Sequence, residues 1–241
     1  MSGHRSPGLS ALVRLRDEET WVKLALESIT WFDEIVIVLN CCTDRTPEIV
    51  EDFRAQFPSK VIVADYPYTI HPMGPGHDDC PTDNPHSSAA LYNFTQDLST
   101  KTHVCKIDGD MVCMDWLGGR VRQLMEDGHH RIKMFGTDIV GDDLTHIGNH
   151  PLCPTNGVYQ VNGTRYEQGQ MTQSLRGAAQ PTTEIHDCFL HFKWARNPFE
   201  AATVQWPENW QEIPHFQRIA ERRIPVEPYT GEYPASVRAL M

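Results

Sequence analysis

The run Lys106-Ile107-Asp108-Gly109-Asp110 sets two carboxylates on either side of a glycine, directly after a buried-strand pattern. Carboxylates so placed can hold a divalent cation, because Mg²⁺ and Mn²⁺ favour one or two carboxylates plus phosphate oxygens and waters over a cage made wholly of protein. The same residues also suit a solvated Asp-Gly turn, so their surroundings must decide. One later stretch, Thr182 to Trp194, packs acids, histidines and aromatics together and contains Glu184, His186, Asp187 and His191. His71, His77 and His86 stand with Asp78 and Asp79 at spacings that match no tight ligand set, which favours a flexible covering loop over a second metal site. His129-His130 reads as a solvated turn before a strand.

The elements that must position these residues are legible as alternating short apolar runs and helical patterns, the signature of a mostly parallel α/β sheet. Strands are expected at Ala11 to Arg16, Glu34 to Asn40, Lys60 to Tyr66, His103 to Asp108 and Arg131 to Phe135. The last residues of the fourth strand then emerge at the carboxyl edge of the sheet, where α/β proteins bind ligands. Helices are expected over Glu18 to Thr30, with two glutamates in its first turn, and from Thr46 as N-cap with Pro47 at the first helical position. A third runs from Ser87 to Thr100, after a long Pro-, Gly-, His- and Asp-rich loop from Pro67 to Pro85. Beyond about residue 140 the pattern loosens, with a hairpin expected over Gly157 to Tyr166 around Asn162-Gly163 and a helix over Trp210 to Arg223.

Composition bounds the rest. A chain of 241 residues with 40% hydrophobic and 22% charged residues is long enough for a real core and is neither disordered nor fibrous. A single domain over 1–241 is expected, with no linker or internal repeat. The longest apolar run, Ile35 to Leu39, is far short of the roughly 20 residues of a membrane-spanning helix, and the N-terminus carries no signal-peptide pattern. A cytoplasmic location is the expectation. A net charge of -11 disfavours nonspecific binding to nucleic acid or anionic membranes. The seven cysteines include no C-x-x-C pair, which argues for reduced thiols and against a structural zinc.

In order and spacing, Arg14-Leu15-Arg16-Asp17-Glu18-Glu19, Phe32 to Thr46, Ala89-Ala90-Leu91-Tyr92-Asn93 and Asp108-Gly109-Asp110 resemble the family 2-like glycosyltransferases of GT-A fold. The resemblance covers roughly the first 120 residues. It implies a Rossmann-like, mostly parallel sheet flanked by helices, with a nucleotide-sugar-binding half (about 10–120) and a less regular acceptor-side half (about 121–241). It implies a nucleotide-diphosphate sugar donor, an Mn²⁺ or Mg²⁺ ion on the diphosphate, and an acceptor that is a glycan, small molecule, protein or nucleic acid. Residue by residue, it puts Asp110 on the metal, Asp108 on ribose or metal, and Arg14, Asp17, Glu18, Asp44, Asn93 and Lys106 around the donor. Asn40 stands where the family usually has a base-reading aspartate, and Ser87-Ser88 where an arginine is often found. Many GT-A enzymes supply a late histidine to the metal, which makes His191 the candidate third ligand and His186 the fallback.

An inverting transfer also needs a carboxylate to take the acceptor's proton. Asp187 is chosen over Glu184 for that role. Trp194, Trp206, Trp210 and Phe216 read as core, with a sugar-stacking platform as the other reading. Two competing functions are a nucleotidyltransferase, disfavoured by the acidic, glycine-free loop after the first strand, and a noncatalytic nucleotide-sugar-binding module.

Overall fold

A computed structural model of the chain describes residues 5–71, 75–140, 145–147, 157–169, 173–177, 183–194 and 226–238. Strand β1 (Ser6–Leu15) lies at its centre because it is apolar on both faces. Ala11, Val13 and Leu15 point into one core and Leu12 into another, as the two-residue period of a strand requires. β1 pairs in parallel with β2 (Glu34–Leu39) on one side and β4 (Lys101–Asp108) on the other. β3 (Val61–Asp65) extends the sheet beyond β2.

On the far side of β4 the sheet continues through β9 (Gly157–Gln160), β6 (Arg131–Met134) and β12 (Thr183–Ile185), giving seven strands in the order β12-β6-β9-β4-β1-β2-β3. β9 runs antiparallel to both of its neighbours. A Cβ on its Gly157 would lie 2.1 Å from the Ile132 carbonyl oxygen, so only glycine lets β9 approach β6 so closely. One face carries α1 (Val22–Ser28), α2 (Thr46–Gln56) and α5 (Leu117–Glu126), whose Leu26, Val50, Phe53 and Val121 join the larger core. The opposite core holds Val36, Val104, Tyr159 and Tyr166, with Ala89 from α4 (Ser88–Leu98).

A second sheet, β14-β8-β7-β13-β5, branches from the end of β4. It comprises β5 (Met111–Cys113), β7 (Thr137–Val140), β8 (Thr145–Ile147), β13 (Phe189–Trp194) and β14 (Val226–Pro228). Val112, Met114, Ile139, Leu190 and Phe192 form its core, and Trp21 stacks on Phe192 at 4.4 Å. β10 (Arg165–Gln168) and β11 (Gln173–Arg176) make a separate antiparallel pair. A single turn, α3 (Pro75–Asp78), sits inside the long loop after β3, and α6 (Ala235–Arg238) closes the described chain.

The five expected strands all form, with β1 longer than read because a bulge between Ser6 and Leu9 carries it past Gly8. The first helix is shorter than the expected Glu18 to Thr30. Asp17 has φ of 55°, and the backbone N–H groups of Glu18 and Glu19 bond to the side chains of Thr46 and Asp44, so the glutamates precede the helix. Thr46 is not the N-cap of α2. It lies in the first turn, and its Oγ1 accepts from Glu18 N–H at 2.7 Å. Ser87 does cap α4, accepting from Ala90 N–H at 3.0 Å.

The expected hairpin over Gly157 to Tyr166 is not one: β9 is inserted between β4 and β6, while β10 leaves to pair with β11. Burial decides this, because Val158 and Tyr159 are almost wholly enclosed in the large sheet. His130 is exposed just before β6, as a solvated turn requires, and its Nδ1 lies 3.1 Å from His103 Nε2 in a stacked pair. The six described cysteines are free. The expected helix Trp210 to Arg223 and the aromatics Trp206, Trp210 and Phe216 lie outside the described residues. No helix among the described residues is long and apolar enough to cross a membrane.

Candidate active site

A cleft of about 630 Å³ opens at the carboxyl ends of β1, β2 and β4, where strand order reverses around β1. Arg14, Glu18, Asn40, His71, Tyr92 and Asp108 are among its walls. Gly109 places the turn beside it, because a Cβ there would stand 2.4 Å from Leu15 Cδ2 and 3.1 Å from Glu18 Cγ. The Asp-Gly-Asp turn therefore packs directly on the end of β1.

Arg14 is the central cation. Its side chain is only 5% exposed, its guanidinium lies 3.8 Å over the Tyr92 ring, and Nη2 stands 3.5 Å from Asp108 Oδ1. Neither Nη makes a hydrogen bond, although both are buried. Lys106 Nζ donates to Asp108 Oδ2 at 2.9 Å. Burial by itself would raise the Asp108 carboxyl, but Lys106 and Arg14 hold it far below the usual range. Asp108 is thus a clamped anion that neutralises part of a buried cationic pair.

Asp110 faces the second sheet. Its Oδ1 lies 3.2 Å from His191 Nε2, and His191 Nδ1 is 2.6 Å from Asp138 Oδ1. All three side chains are buried. Burial opposes charge on the imidazole, yet Asp110 and Asp138 outweigh it and push His191 up to about 10. Asp138, at the second position of β7, was not singled out in the sequence. Nothing in its spacing announces that β7 and β13 run side by side and set it opposite His191.

The remaining candidates divide by location. Asp17 Oδ1 accepts from Thr43 N–H at 2.6 Å, and Asp44 Oδ2 accepts from Glu19 N–H at 2.9 Å. The two carboxylates thus cross-link the loops after β1 and β2. Asn40 Nδ2 donates to the carbonyls of Tyr66 (3.0 Å) and Tyr68 (2.8 Å), which ties the long loop to the cleft floor. Asn93 is turned away from the cleft, bonding the Tyr166 backbone through both amide atoms at 2.9 Å. Glu184 is exposed and paired with Lys133 at 3.4 Å on the outer ladder. Asp187 lines a second cavity and has φ of 55°. His186 is exposed and stacks on Phe135 at 4.7 Å. Of the loop histidines, His71 lines the cleft, while His77 is buried against Ser88 (3.1 Å) and Asp78 (3.0 Å).

Residues 4–114 match the profile of a family described as beta-1,4-N-acetylgalactosaminyltransferase (CgtA). Among solved structures, TarS from S. aureus superposes with a TM-score of 0.51 at 14% identity, over 77% of this chain and 36% of that one. The fold is that of the GT-A glycosyltransferases. The 1–349 fragment of TarS, crystallised with UDP-GlcNAc, gives the same TM-score of 0.51 at 15% identity, covering 88% of this chain and 65% of that one. The GT-A chain described here therefore spans less than two thirds of either TarS structure. No curated protein sequence matches it. The cleft at β1, β2 and β4 and the turn at Asp108 to Asp110 thus lie together at the carboxyl edge of the parallel strands of this fold.

Proposed function

We propose that the protein transfers a sugar from a nucleotide-diphosphate donor to an acceptor hydroxyl, with a divalent cation bound at Asp110 and His191. The observation that carries this reading is Arg14. A guanidinium whose buried Nη atoms make no hydrogen bond, and whose ion pair with Asp108 is 3.5 Å long, is costly to leave so, and a diphosphate is the bidentate acceptor that its planar fork suits. Lys106 and Tyr92 hold the site in shape without it.

The donor set suits Mn²⁺ or Mg²⁺. One carboxylate and one imidazole meet at Asp110 and His191, and Asp138 fixes the ring through Nδ1, which leaves Nε2 as the ligating nitrogen. Among the described residues no group of three His, Cys, Asp or Glu side chains that could hold a metal occurs, so phosphate oxygens and waters would have to supply the other ligands. When bound, the cation would stabilise the negative charge that develops on the leaving diphosphate. Arg14, which lines the cleft, would add to that stabilisation. Asp108, already clamped by Lys106 and Arg14, serves as their counter-ion.

Asn40 supports a uracil-type base despite replacing an aspartate. With its NH₂ engaged by Tyr66 and Tyr68, the side chain has an acceptor oxygen left to offer, the polarity a carboxylate would present. The family description and the UDP-GlcNAc bound to the TarS fragment both support a UDP-linked N-acetylhexosamine as the first donor to test. Asp187, which faces a cavity, is the acceptor base in this reading, rather than Glu184 on its outer ladder.

The test is a binding panel of UDP, GDP, CDP, ADP and TDP with Mn²⁺, Mg²⁺ or EDTA on wild type, Asp110→Ala and Arg14→Met. A nucleotide at about 100 times its dissociation constant should stabilise the fold by roughly 2.7 kcal/mol. Stabilisation by one nucleotide, metal-dependent and lost in both variants, is the expected result. No stabilisation by any of them in wild type would remove the assignment.

A further inference from the structure

A second cavity, of about 390 Å³, opens at the other end of the ladder that joins β5 to β13. His191 pairs with Met111 and Phe189 with Cys113, so Asp110 and His191 lie at one end of that ladder and Met114 and Asp187 at the other. Four residues separate the ends along each strand, roughly 13 Å at strand rise. The cavity's volume is inside the roughly 300–1,000 Å³ range of small-molecule sites.

Its lining has a distinct chemistry. Trp116 is 41% exposed, one of the two large hydrophobic side chains among the described residues that are left so open to solvent. Its indole is the residue before α5 and forms part of the cavity wall. Asp187 and Glu232 supply carboxylates, Thr137 a hydroxyl, and no Lys, Arg or His is among its described lining residues. The far wall, Tyr229 to Glu232, comes from the last described segment. That segment is pinned to the Trp116 side by Ala235 N–H donating to Asp115 Oδ2 at 3.1 Å, and by Arg238 3.8 Å from Asp115.

An open aromatic face beside hydrogen-bond acceptors is how a protein holds a pyranose, whose C–H face is apolar and whose rim donates hydroxyl protons. Two carboxylates, with no basic side chain among the described lining residues, repel sulfate, phosphate and sialic acid. We propose that this cavity binds an uncharged pyranose of a glycan acceptor, stacked on Trp116, with its hydroxyls donating to Asp187 and Glu232. The assignment rests on the transferase reading of the first cleft, since it takes Asp187 as the group beside the reacting hydroxyl.

The experiment is a glycan array carrying neutral, amino, sulfated, phosphorylated and sialylated termini, probed with the labelled full chain. UDP and Mn²⁺ binding is measured by calorimetry on the same wild-type preparation. Retention is expected on neutral termini, at least tenfold reduced by Trp116→Ala with an unchanged melting temperature. Glu232→Lys is expected to move retention towards sialylated or sulfated glycans. The proposal is overturned by retention confined to anionic glycans, by retention that Trp116→Ala leaves intact, or by no retention at all. Loss of UDP binding in wild type instead strikes the donor-cleft reading, so the two failures are read on separate instruments.

Discussion

At the scale of single residues, the site is arranged as buried charges that compensate one another in two groups. Arg14, Lys106 and Asp108 form one, and Asp110, His191 and Asp138 the other. Asp138 touches no part of the first cleft, and its Oδ2 is buried without a partner, so its contribution runs through His191. Carboxylates behind a metal-ligating histidine are worth roughly 10–100-fold in metal affinity. Asp138→Asn should therefore weaken Mn²⁺ binding by about tenfold or more in a direct titration. An unchanged Mn²⁺ isotherm would show that Asp138 does not orient the ring.

Asp33 gives a second residue-scale prediction. Its Oδ2 accepts from Leu9 N–H at 2.9 Å and its Oδ1 from Arg122 at 3.0 Å, which together outweigh burial and lower its pKa. A lowered folded-state value contributes stability above the ordinary pKa of 3.8, and that contribution disappears as pH falls through the folded value. Asp33→Asn should destabilise by about 1 kcal/mol at neutral pH. In urea melts the gap to wild type should close below the ordinary carboxylate range. A gap that stays constant into acid would mean that the ion pair contributes nothing.

Elements decide how the loops around the cleft are held. Gln168, at the end of β10, accepts from Ser88 Oγ (2.9 Å) and Ala89 N–H (3.1 Å) and donates to the His77 carbonyl at 2.9 Å. One side chain thus ties the β10–β11 pair, the start of α4 and the loop after β3 together. Gln168→Ala should speed amide exchange across residues 75–91 while leaving β1 and β2 protected, as read by mass spectrometry. Exchange that rises uniformly across the chain would point to global destabilisation instead.

The long parallel strands were legible because β2 carries five consecutive apolar residues after Glu34 and Ser87 caps α4 at the expected place. The second sheet was not, since β5 and β8 have three residues each and give no periodic signal. α5 was obscured by Gly118 and Gly119. The same limit applied to the site. Asp108 and Asp110 declare themselves as neighbours of a strand end, but the partnership of Asp138, His191 and Asp110 exists only once β7, β13 and β5 are in register. Tyr92 beneath Arg14, and Trp116 and Asp187 in the wall of one cavity, are juxtapositions of the same long-range kind.

Across the whole molecule, the cores of the two sheets meet around the middle of the chain, and cysteines report on the larger one. Cys105, Cys113 and Cys188 all sit in that core, and burial pushes the thiols of Cys113 and Cys188 up to about 12. A thiol that does not ionise near neutral pH reacts slowly with alkylating reagents. In native protein at pH 8, labelling should therefore spare Cys105, Cys113 and Cys188 while reaching the partly open Cys41. The three should become reactive together only on global unfolding, as followed by peptide mass mapping against urea concentration. Early labelling of Cys188 alone would show that the second sheet opens independently.

The brevity of β5 has a further consequence. Its three residues are the ruler between Asp110 on one side and Met114 on the other, and Val112 at its midpoint is fully enclosed. Side chains alternate along a strand, so losing or gaining one residue here would turn His191's neighbour outward and shift the second cavity's wall by about 3.3 Å relative to the first cleft. Insertions and deletions between Asp110 and Met114 should thus be far less tolerable than in the loops on either side. A lineage or an engineer could change what the two cavities hold, but not how far apart they stand.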